Sequence, residues 1–563
     1  MVNRRQKDLI YLFSFIAFLI IINILSSFLF TRFDFTREKR YTLSAISKDI
    51  MGKLDDHLQV TFYLEGDFPA GFKRLRNSTR DILSDFKAYS AGNLHFDFVN
   101  PSSGDEKTRE TVYQGLAEKG IEATSLSVKT EEGMSQKTIF PAALITYKGQ
   151  QIVVKLLQNR AGASPEEVLN NSVQNLEFAF SSAIKKLSSG GKPRIGFTEG
   201  HGELNDLQLN DALKSLEDGY EVGRVNLNII PVEGLDKLSV LIIPKPNTAF
   251  SETEKYKIDY FVMRGGRILW AIDQVNAELD SLRGAGRQLA FPKKLNLDDI
   301  LFKYGVRINY NLVADMNCAQ VPLSVGNVGG QSQIQLVPWL FYPVFVPTST
   351  HPLVKNLDGI RSEFSSTIDT IPVKNIRKQI ILETSPFNRI LETPTMLSLQ
   401  MVEQEPNPQS FQSTPKPVGV LLEGFFTSSF LNRPVPAGIS PAVSIPKIGK
   451  YTKMIVLADG DILKNQVSNT DGSPFPLGYD RYTQQQYGNK NLLLNAADYL
   501  TDDSGIIELR NKEIKIRLLD RARIRSEKTF WQTLNIGLPL LLLAIVGVLR
   551  HFYRRKKYAR YIN

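Results

Sequence analysis

Two long apolar stretches lie near the two ends of the chain. Residues 9–30 and residues 530–549 are mostly apolar, and neither stretch contains a charged residue. Crossing about 30 Å of hydrocarbon at 1.5 Å per residue takes about 20 apolar residues. The pattern therefore predicts transmembrane helices at 9–30 and 530–549. Because two crossings return the chain to its starting side, we expect the residues between them to lie on one face of a membrane.

Helix and strand patterns alternate after the first apolar stretch. Ser44 is a typical N-cap for a short helix, and the elements after it follow the order β-α-β-α-β-β. The strands are predicted at 58–64, 94–99, 125–129 and 142–157, and the helices at 72–89 and 105–119. This order predicts a thioredoxin-like α/β domain at 45–160. It contains no Cys-x-x-Cys pair, so we do not expect the redox chemistry of that fold.

A second α/β region follows a predicted bridging helix at 165–190, whose start is marked by Ser164 and Pro165. Strand and helix patterns alternate again, with short turns between them. This alternation predicts a mostly parallel sheet with helices on both faces, a Rossmann-like domain at 192–505. Residues 320–450 give a weaker pattern and contain long loops rich in glycine and proline.

The segment before the second apolar stretch predicts a direct connection to the membrane. Residues 508–529 are predicted to form a juxtamembrane strand and helix, with Asp520 as the helix cap. Trp531 is placed at the membrane interface, where its amphipathic ring is favoured. Pro539, close to Gly537, should kink the helix. We therefore predict that Asp520, Trp531, Gly537 and Pro539 take part in membrane coupling.

Charge bears on the orientation of the chain. The formal net charge is +10, and the tail at 550–563 is strongly basic. Basic residues beside membrane helices attract anionic lipid headgroups, so the charge favours membrane lipid and not nucleic acid as a partner. Basic residues flank both sides of each helix, and a plain count is nearly balanced. Since short basic tails favour the cytoplasm, we predict cytoplasmic tails at 1–8 and 550–563 and a large domain outside it.

One turn has the features of a binding site. Glu199, Gly200, His201, Gly202 and Glu203 lie where a predicted parallel strand passes into a helix. Open α/β sheets place ligands at such ends. We therefore predict a ligand or partner turn there.

Asp273, at the end of a neighbouring predicted strand, belongs to the same predicted turn site. A catalytic alternative would use His201 as a base that Glu203 orients. A structural or binding role for His201 at a sharp turn is favoured over that alternative.

Other chemistry lacks its motifs. There is no phosphate-binding Gly-x-x-x-x-Gly-Lys-[Ser/Thr], and the histidines do not have metal-ligand spacing. Asp459 and Asp461 suggest a calcium loop, but too few oxygen ligands follow, so a strand-end turn is favoured. Cys318, the single cysteine, is not in a nucleophile elbow and permits no disulfide within the chain. We predict no catalytic, cofactor or metal residues, no cofactor and no enzymatic activity.

Several motifs in order resemble a known family. They are Arg40-Tyr41-Thr42-Leu43-Ser44 after the first apolar stretch, Tyr63-Leu64-Glu65-Gly66, the segment from Ile195 to Glu203, and Leu518-Leu519-Asp520 before the second apolar stretch. Together they resemble the gliding-motility-associated ABC transporter auxiliary proteins (GldG) of Bacteroidetes. The resemblance implies that 192–505 has a class I glutamine-amidotransferase-like fold without its catalytic cysteine.

The resemblance also implies a function. Such a protein is a non-catalytic subunit in the bacterial inner membrane, with a periplasmic domain. Its partners are an ABC-2-type permease and a separate ATPase, in a complex needed for gliding, and a homodimer within the complex is compatible with this. Two alternatives remain: a solute- or polymer-binding subunit of the same transporter, and a cryptic hydrolase using His201 and Glu203.

Overall fold

The computed structural model describes residues 4–28, 42–66, 68–130, 133–157, 164–328, 331–402, 406–439, 444–511 and 521–558. The chain divides into two compact units, Met1–Glu513 and Ile514–Asn563. Both α-helices and many β-sheets are present, so the protein has a mixed α/β architecture.

The first part of the larger unit contains a small mixed sheet and its helices. Ser44 and Ser164 cap the helices that follow them, as predicted, because each side-chain oxygen accepts from a backbone N–H of the first turn. The elements are α1 Arg4–Phe28, α2 Ala45–Gly52, β1 Leu58–Phe62, α3 Ala70–Tyr89, β2 Leu94–Phe98, α4 Glu106–Glu118, β3 Thr124–Thr130, β4 Gly133–Ile139, β5 Ala142–Tyr147, β6 Gln150–Lys155 and α5 Pro165–Ser188.

The described strands of this region form a sheet in the order β2-β1-β5-β6 and a separate β3-β4 hairpin. β1 runs parallel to β2 and antiparallel to β5. The turn between β5 and β6 is formed by Lys148 and Gly149, both with positive φ, as tight hairpin turns require. This hairpin lies within the strand region predicted at 142–157, whereas β4, whose residues are mostly polar, was not predicted.

The rest of the larger unit is built around a second sheet. Its elements are β7 Arg194–Glu199, α6 Asn210–Glu217, β8 Glu221–Asn226, β9 Val240–Pro244, α7 Glu252–Met263, β10 Arg267–Ala271, β11 Val275–Asn276, α8 Leu279–Ala285, β12 Arg287–Pro292, α9 Asp298–Tyr304, β13 Val306–Ile308, β14 Asn311–Asp315, β15 Cys318–Val328, β16 Gln331–Phe345, β17 Ile360–Arg361, β18 Ile368–Thr370, β19 Ile376–Glu383, β20 Asn388–Glu392, β21 Thr395–Ser398, β22 Pro417–Thr427, β23 Ile448–Leu457, β24 Tyr479–Asp480, β25 Gln485–Gln486 and α10 Asn489–Thr501. Short 3₁₀ helices lie at Val232–Lys237, Leu399–Val402, Pro408–Phe411, Asp461–Leu463 and Ile506–Asn511.

Seven of the described strands form the main sheet, in the order β19-β22-β23-β10-β9-β7-β8. All neighbours from β23 to β8 are parallel, and β22 and β19 add antiparallel strands at one edge. The mostly parallel sheet that the alternating pattern predicted is therefore present. β9 reads Val-Leu-Ile-Ile-Pro and is buried at every position, as expected for a strand covered on both faces.

The region from 275 to 411 adds smaller sheets. The β15–β16 hairpin is its longest feature, and most of it lies in the region 320–450, whose weaker pattern indicated long loops. Pro322, Pro338 and Pro343 lie within these two strands. Since proline removes a backbone donor and argues against a central strand, the sequence pattern obscured this hairpin.

One hydrophobic cluster extends through the β2-β1-β5-β6 sheet and the main sheet of the larger unit. Phe62 from β1 and Phe197 from β7 are fully buried members of it. Phe180 and Ile184 on α5 belong to the same cluster and are also fully buried. The helix predicted as a bridge at 165–190 therefore carries core residues of this continuous cluster.

The described residues of the smaller unit form one long helix, α11 Arg521–Tyr558, which contains Pro539. Among the described residues, Ile524–Lys556 is the segment long and apolar enough to cross a membrane. Its most apolar stretch is not buried against the rest of the protein. In the part of α1 whose side chains the structure describes, the apolar segment is Ile10–Asn23, which by itself is shorter than a membrane span. The predicted span at 9–30 stays a prediction, because its last residues lie outside the described chain. Asp520 and the predicted strand at 514–518 also lie outside it.

Candidate functional site

Four strand ends bring the site residues to one edge of the main sheet. β7, β9, β10 and β23 are neighbouring parallel strands, so their carboxyl ends lie at the same edge. The residues that follow these strands are His201, Lys245, Asp273 and Asp459. This edge contains the predicted turn at 199–203 and the predicted Asp273.

His201 is held between an aromatic ring and two carboxylates. Its imidazole stacks on Phe250 with ring centroids 3.8 Å apart, and its Nε2 lies 3.1 Å from Glu254 Oε2. Its Nδ1 lies 3.5 Å from Glu203 Oε1, and its backbone N–H donates to the other oxygen of Glu203 at 2.6 Å. The side chain is buried and, among the described residues, makes no hydrogen bond to a serine or cysteine. This geometry favours the structural role over a catalytic base.

The electrostatic surroundings of His201 favour its charged form. Burial acts to lower the pKa of His201, but the carboxylates of Glu203 and Glu254 outweigh burial and raise it above its ordinary value. Hydrogen bonds from His201 and from the backbone of the turn hold the pKa of Glu203 below its ordinary value, against the effect of burial. Hydrogen bonds from Ser251 and then from His201 likewise lower the pKa of Glu254. Glu254 also closes the capping box of α7 with Ser251. The turn is thereby tied to the start of α7.

The glycines of the turn allow its shape. Gly200 and Gly202 have φ values of +111° and +70°, which favour glycine. The carbonyl of His201 accepts from the backbone N–H groups of Asn247 and Thr248, at 2.8 and 3.0 Å. The turn is therefore fixed by backbone contacts to the loop after β9.

A buried ionic cluster forms the centre of the edge. Lys245 Nζ lies 2.6 Å from Asp461 Oδ2, 3.2 Å from Asp273 Oδ2 and 2.9 Å from Glu278 Oε1. The side chain of Lys245 is 5% exposed, and that of Asp461 is 2% exposed. Lys464 Nζ adds a second cation, 3.0 Å from Asp461 Oδ1. We call Lys245, Asp273, Glu278, Asp459, Asp461 and Lys464 the Lys245 cluster.

The pKa values of two carboxyl groups in the Lys245 cluster are shifted in opposite directions. Burial raises the pKa of Asp459 well above its ordinary value, and the charges of Asp461 and Asp273 act in the same direction. For Asp461, burial is outweighed by Lys245 and Lys464, so its pKa is lowered. Burial likewise acts to lower the pKa of Lys245, yet the surrounding carboxylates raise it well above its ordinary value.

The Lys245 cluster does not require a metal ion. Carboxylate oxygens of Asp273, Asp459 and Asp461 lie within 4.8 Å of one another, which is a spacing that a cation could bridge. The ammonium group of Lys245 is within 3.2 Å of two of these residues and already supplies positive charge there. Asp459 accepts from the backbone N–H of Glu363 at 2.7 Å and from the Ser362 hydroxyl. The Asp459–Asp461 segment is therefore a strand-end turn that is stabilised by hydrogen bonds and ion pairs.

Asn247 and Lys293 connect the two parts of the edge. Lys293 Nζ donates to Asn247 Oδ1 at 2.8 Å and lies 3.6 Å from Asp273 Oδ2. Asn247 in turn donates through its side-chain amide to Gly202 O at 2.6 Å. The 199–203 turn and Asp273 are thus joined through these two residues and do not need to touch.

The sequence did not point to Lys245 as a member of the site. Its backbone has a φ of +55°, which is uncommon for a residue with a side chain. Gly460 packs on it so closely that an added Cβ would lie 2.4 Å from the Lys245 Cβ. A single lysine after a strand does not by itself indicate a site. The segment Asp459–Asp461, which contains Gly460, was predicted only as a strand-end turn.

The predicted membrane-coupling residues lie on α11 where the structure describes them. Trp531 is 47% exposed, and its Nε1 donates to Glu527 Oε2 at 2.9 Å. An added Cβ at Gly537 would meet nothing within 4 Å, so its surface is open to a neighbouring helix.

Comparison with known proteins assigns the family. Residues 192–496, more than half of the chain, match the family described as "ABC-type uncharacterized transport system". The chain belongs to this family. It is therefore an auxiliary protein that associates with an ABC transporter complex and has a transport-associated role. Residues 37–146 match a domain of unknown function, DUF7088.

One relative and two solved structures illustrate the similarity of this ABC-type transport family protein to other proteins. A protein of Borreliella burgdorferi that carries the name "Uncharacterized protein" is 20% identical over an alignment of 550 residues that covers 96% of each chain. The "mmIFT52 N-terminal domain" is 13% identical with a TM-score of 0.32, over 55% of this chain and 98% of that one. A putative ThuA-like protein from Bacteroides uniformis is 14% identical with a TM-score of 0.26, over 56% and 95%.

Proposed function

We propose that this ABC-type transport family protein is a non-catalytic subunit anchored in the inner membrane of a bacterium, with its large α/β unit in the periplasm. In this proposal it couples that unit to an ABC-2-type permease that a separate ATPase drives. The observation that carries the proposal is α11, one helix in which Ile524–Lys556 is long and apolar enough to cross a membrane. A continuous helix can transmit a tilt or shift between membrane and soluble parts.

Finer parts of the proposal rest on the sequence motifs. The resemblance to the GldG proteins of Bacteroidetes supports a role in gliding motility. It also supports a thioredoxin-like domain at 45–160 and an amidotransferase-like domain at 192–505. The second anchor at 9–30 would place both tails in the cytoplasm, and it would hold the large unit at both ends.

Co-purification tests the association. The full chain, tagged after Asn563 and extracted in a mild detergent, should retain the permease and the ATPase. A matched chain that ends at Asn511 lacks α11 and should lose most of both partners. Recovery of the full chain as a monomer without them, under conditions that preserve other ABC complexes, would contradict the proposal.

Topology reporters test the orientation. Fused after Asn563, a reporter that works only in the cytoplasm should be active and one that works only in the periplasm should be inactive. Inserted between Arg433 and Lys450, the same two reporters should give the opposite result. These positions differ in their predicted side of the membrane, so each reporter is a control for the other. The same side for both would contradict the proposed orientation.

A second candidate function is favoured by one observation. A cavity of about 220 Å³ lies beside the Lys245 cluster and is lined by Glu278 and Lys464 among others. This supports a solute- or polymer-binding subunit of the same transporter. The hydrolase alternative has no comparable support, since His201 is buried between Phe250, Glu203 and Glu254.

A further inference from the structure

The cavity beside the Lys245 cluster has a wall of charged groups that are already paired. Lys464 contacts Asp461, and Glu278 contacts Lys245 at 2.9 Å. Arg361, also on the wall, lies 3.0 Å from Glu363 through its Nη2. Each of these charges has an opposite charge next to it. This wall can therefore contact a ligand through its shape and through hydrogen bonds, but it carries little net charge.

Arg481 differs from the other cations of the cavity. Its Nη1 donates to Asn469 Oδ1 at 3.1 Å and to Val467 O, and its Nη2 donates to the hydroxyl of Tyr482 at 2.6 Å. All three acceptors are neutral. Within the described part of the chain, Arg481 makes no salt bridge to a carboxylate. Its positive charge is therefore fixed in place and not neutralised, a setting that favours a carboxylate ligand.

The remaining lining suits hydroxyl groups. Gln320, Gln466 and Asn469 bring side-chain amides. The amide oxygens of Gln466 and Asn469 already accept from Arg481, so these two residues offer a ligand mainly their N–H donors. Tyr482 is 37% exposed at this site and presents an apolar ring with a polar end. The volume is below the range of about 300–1,000 Å³ that is typical of drug-sized ligands, so it suits one six-membered ring.

We propose that this cavity binds a hexuronic acid, with the sugar carboxylate facing Arg481 and the hydroxyl groups facing the amide side chains. The inference rests on the second candidate function, that of a solute- or polymer-binding subunit. A free sugar acid and the end of an acidic polysaccharide share this chemistry.

Calorimetric titration of the full chain in detergent tests the proposal. D-galacturonate should give saturable binding at millimolar concentrations, and D-galactose, which lacks the carboxylate, should bind about tenfold more weakly or not at all. No saturable binding of galacturonate would overturn the proposal. Equal binding of inorganic phosphate would also overturn it, because the cavity would then be a general anion site.

Variants locate the site. Arg481→Gln should weaken galacturonate binding about tenfold, while Arg481→Lys, which keeps the charge but loses the fork, should be intermediate. Because Arg481 also holds its own loop, Gln320→Ala provides a second variant that leaves those contacts intact and should weaken binding as well. Arg307→Gln, an exposed arginine on β13, is the matched control. Unchanged binding in both Arg481→Gln and Gln320→Ala would overturn the proposed location.

Two further measurements identify the source of the ligand and separate sugar binding from assembly of the membrane complex. A short oligogalacturonide that binds more tightly than the monosaccharide would support a polymer end as the occupant, and equal affinity would support a free sugar acid. Arg481→Gln should still co-purify with the permease and the ATPase. Lost sugar binding with retained partners would thus distinguish a failure of the ligand site from a failure of the membrane complex.

Discussion

Lys245 and Asp461, which are 216 positions apart in the sequence, form a 2.6 Å ion pair inside the protein. The two strands on either side of β10 supply them, since Lys245 follows β9 and Asp461 follows β23. Removing one member of a buried ion pair is costly because the other charge is left without compensation. The pair therefore links the early and late parts of the sheet.

Replacing Lys245 by methionine should destabilise the larger unit by about 3–5 kcal/mol, because buried carboxylates lose their cation. The loss should appear as a lower thermal unfolding midpoint of the full chain in detergent. Lys237→Met, at an exposed position, is the control and should change stability by less than about 0.5 kcal/mol. Adding Asp461→Asn to the Lys245→Met chain should recover part of the loss, and no recovery would argue against direct coupling.

Gly460→Ala should destabilise the larger unit by about 1–3 kcal/mol, as overpacking in a close contact does. The new Cβ would lie 2.7 Å from the Lys245 Cα, a backbone atom that cannot rotate away. Gly115→Ala on α4 is the matched control, because nothing lies within 4 Å of its added Cβ and alanine favours helices. Urea unfolding of both variants measures the difference, and equal stability of the two would contradict the contact.

The stability that His201 provides should depend on pH. Its pKa is raised in the folded protein, so its charged contacts contribute fully below the unfolded value of about 6.5 and are lost as the pH rises through the folded value. The unfolding midpoint of His201→Gln should therefore fall further below that of the original chain at pH 6 than at pH 8.5. His57→Gln, at an exposed position, is the control. A larger difference between the two unfolding midpoints at pH 8.5 than at pH 6 would contradict this prediction.

Arginines in α11 should change the side on which the C-terminus lies. Leu541→Arg with Leu542→Arg places two charges near the middle of the apolar segment, and each costs about 2.5–3.5 kcal/mol of insertion free energy. A reporter after Asn563 should then move from the cytoplasm to the periplasm. The same double change at the exposed Leu289 and Phe291 should leave the reporter where it was. An unmoved reporter in the α11 variant would argue against a span there.

The sequence predicted elements well where local signals agree. α7 at Glu252–Met263 and β9 at Val240–Pro244 fit the predicted alternation of strands and helices, because a capping box starts one and an apolar run defines the other. It was weakest for β15 and β16, where prolines interrupt an alternating pattern. Pairing partners far apart in the chain leave no local signal at all.

The positions of some candidate site residues could be predicted from the sequence, because they follow recognisable strands. The strand-end rule indicated His201 and Asp273 at one sheet edge, and both lie there. Lys245 could not be found, because its role depends on carboxylates from distant segments. Arg481 likewise lines a cavity whose other walls come from several remote parts of the chain. Its own sequence neighbours gave no indication of this.

The pairing of β10 with β23 has a consequence for biosynthesis. Ile268 pairs with Met454, so the parallel core remains open until the ribosome has made nearly the whole large unit. Elongation proceeds at about 5–20 residues per second, which leaves β10 without that neighbour for seconds to tens of seconds. The newly made half-sheet would expose an apolar strand edge during that time.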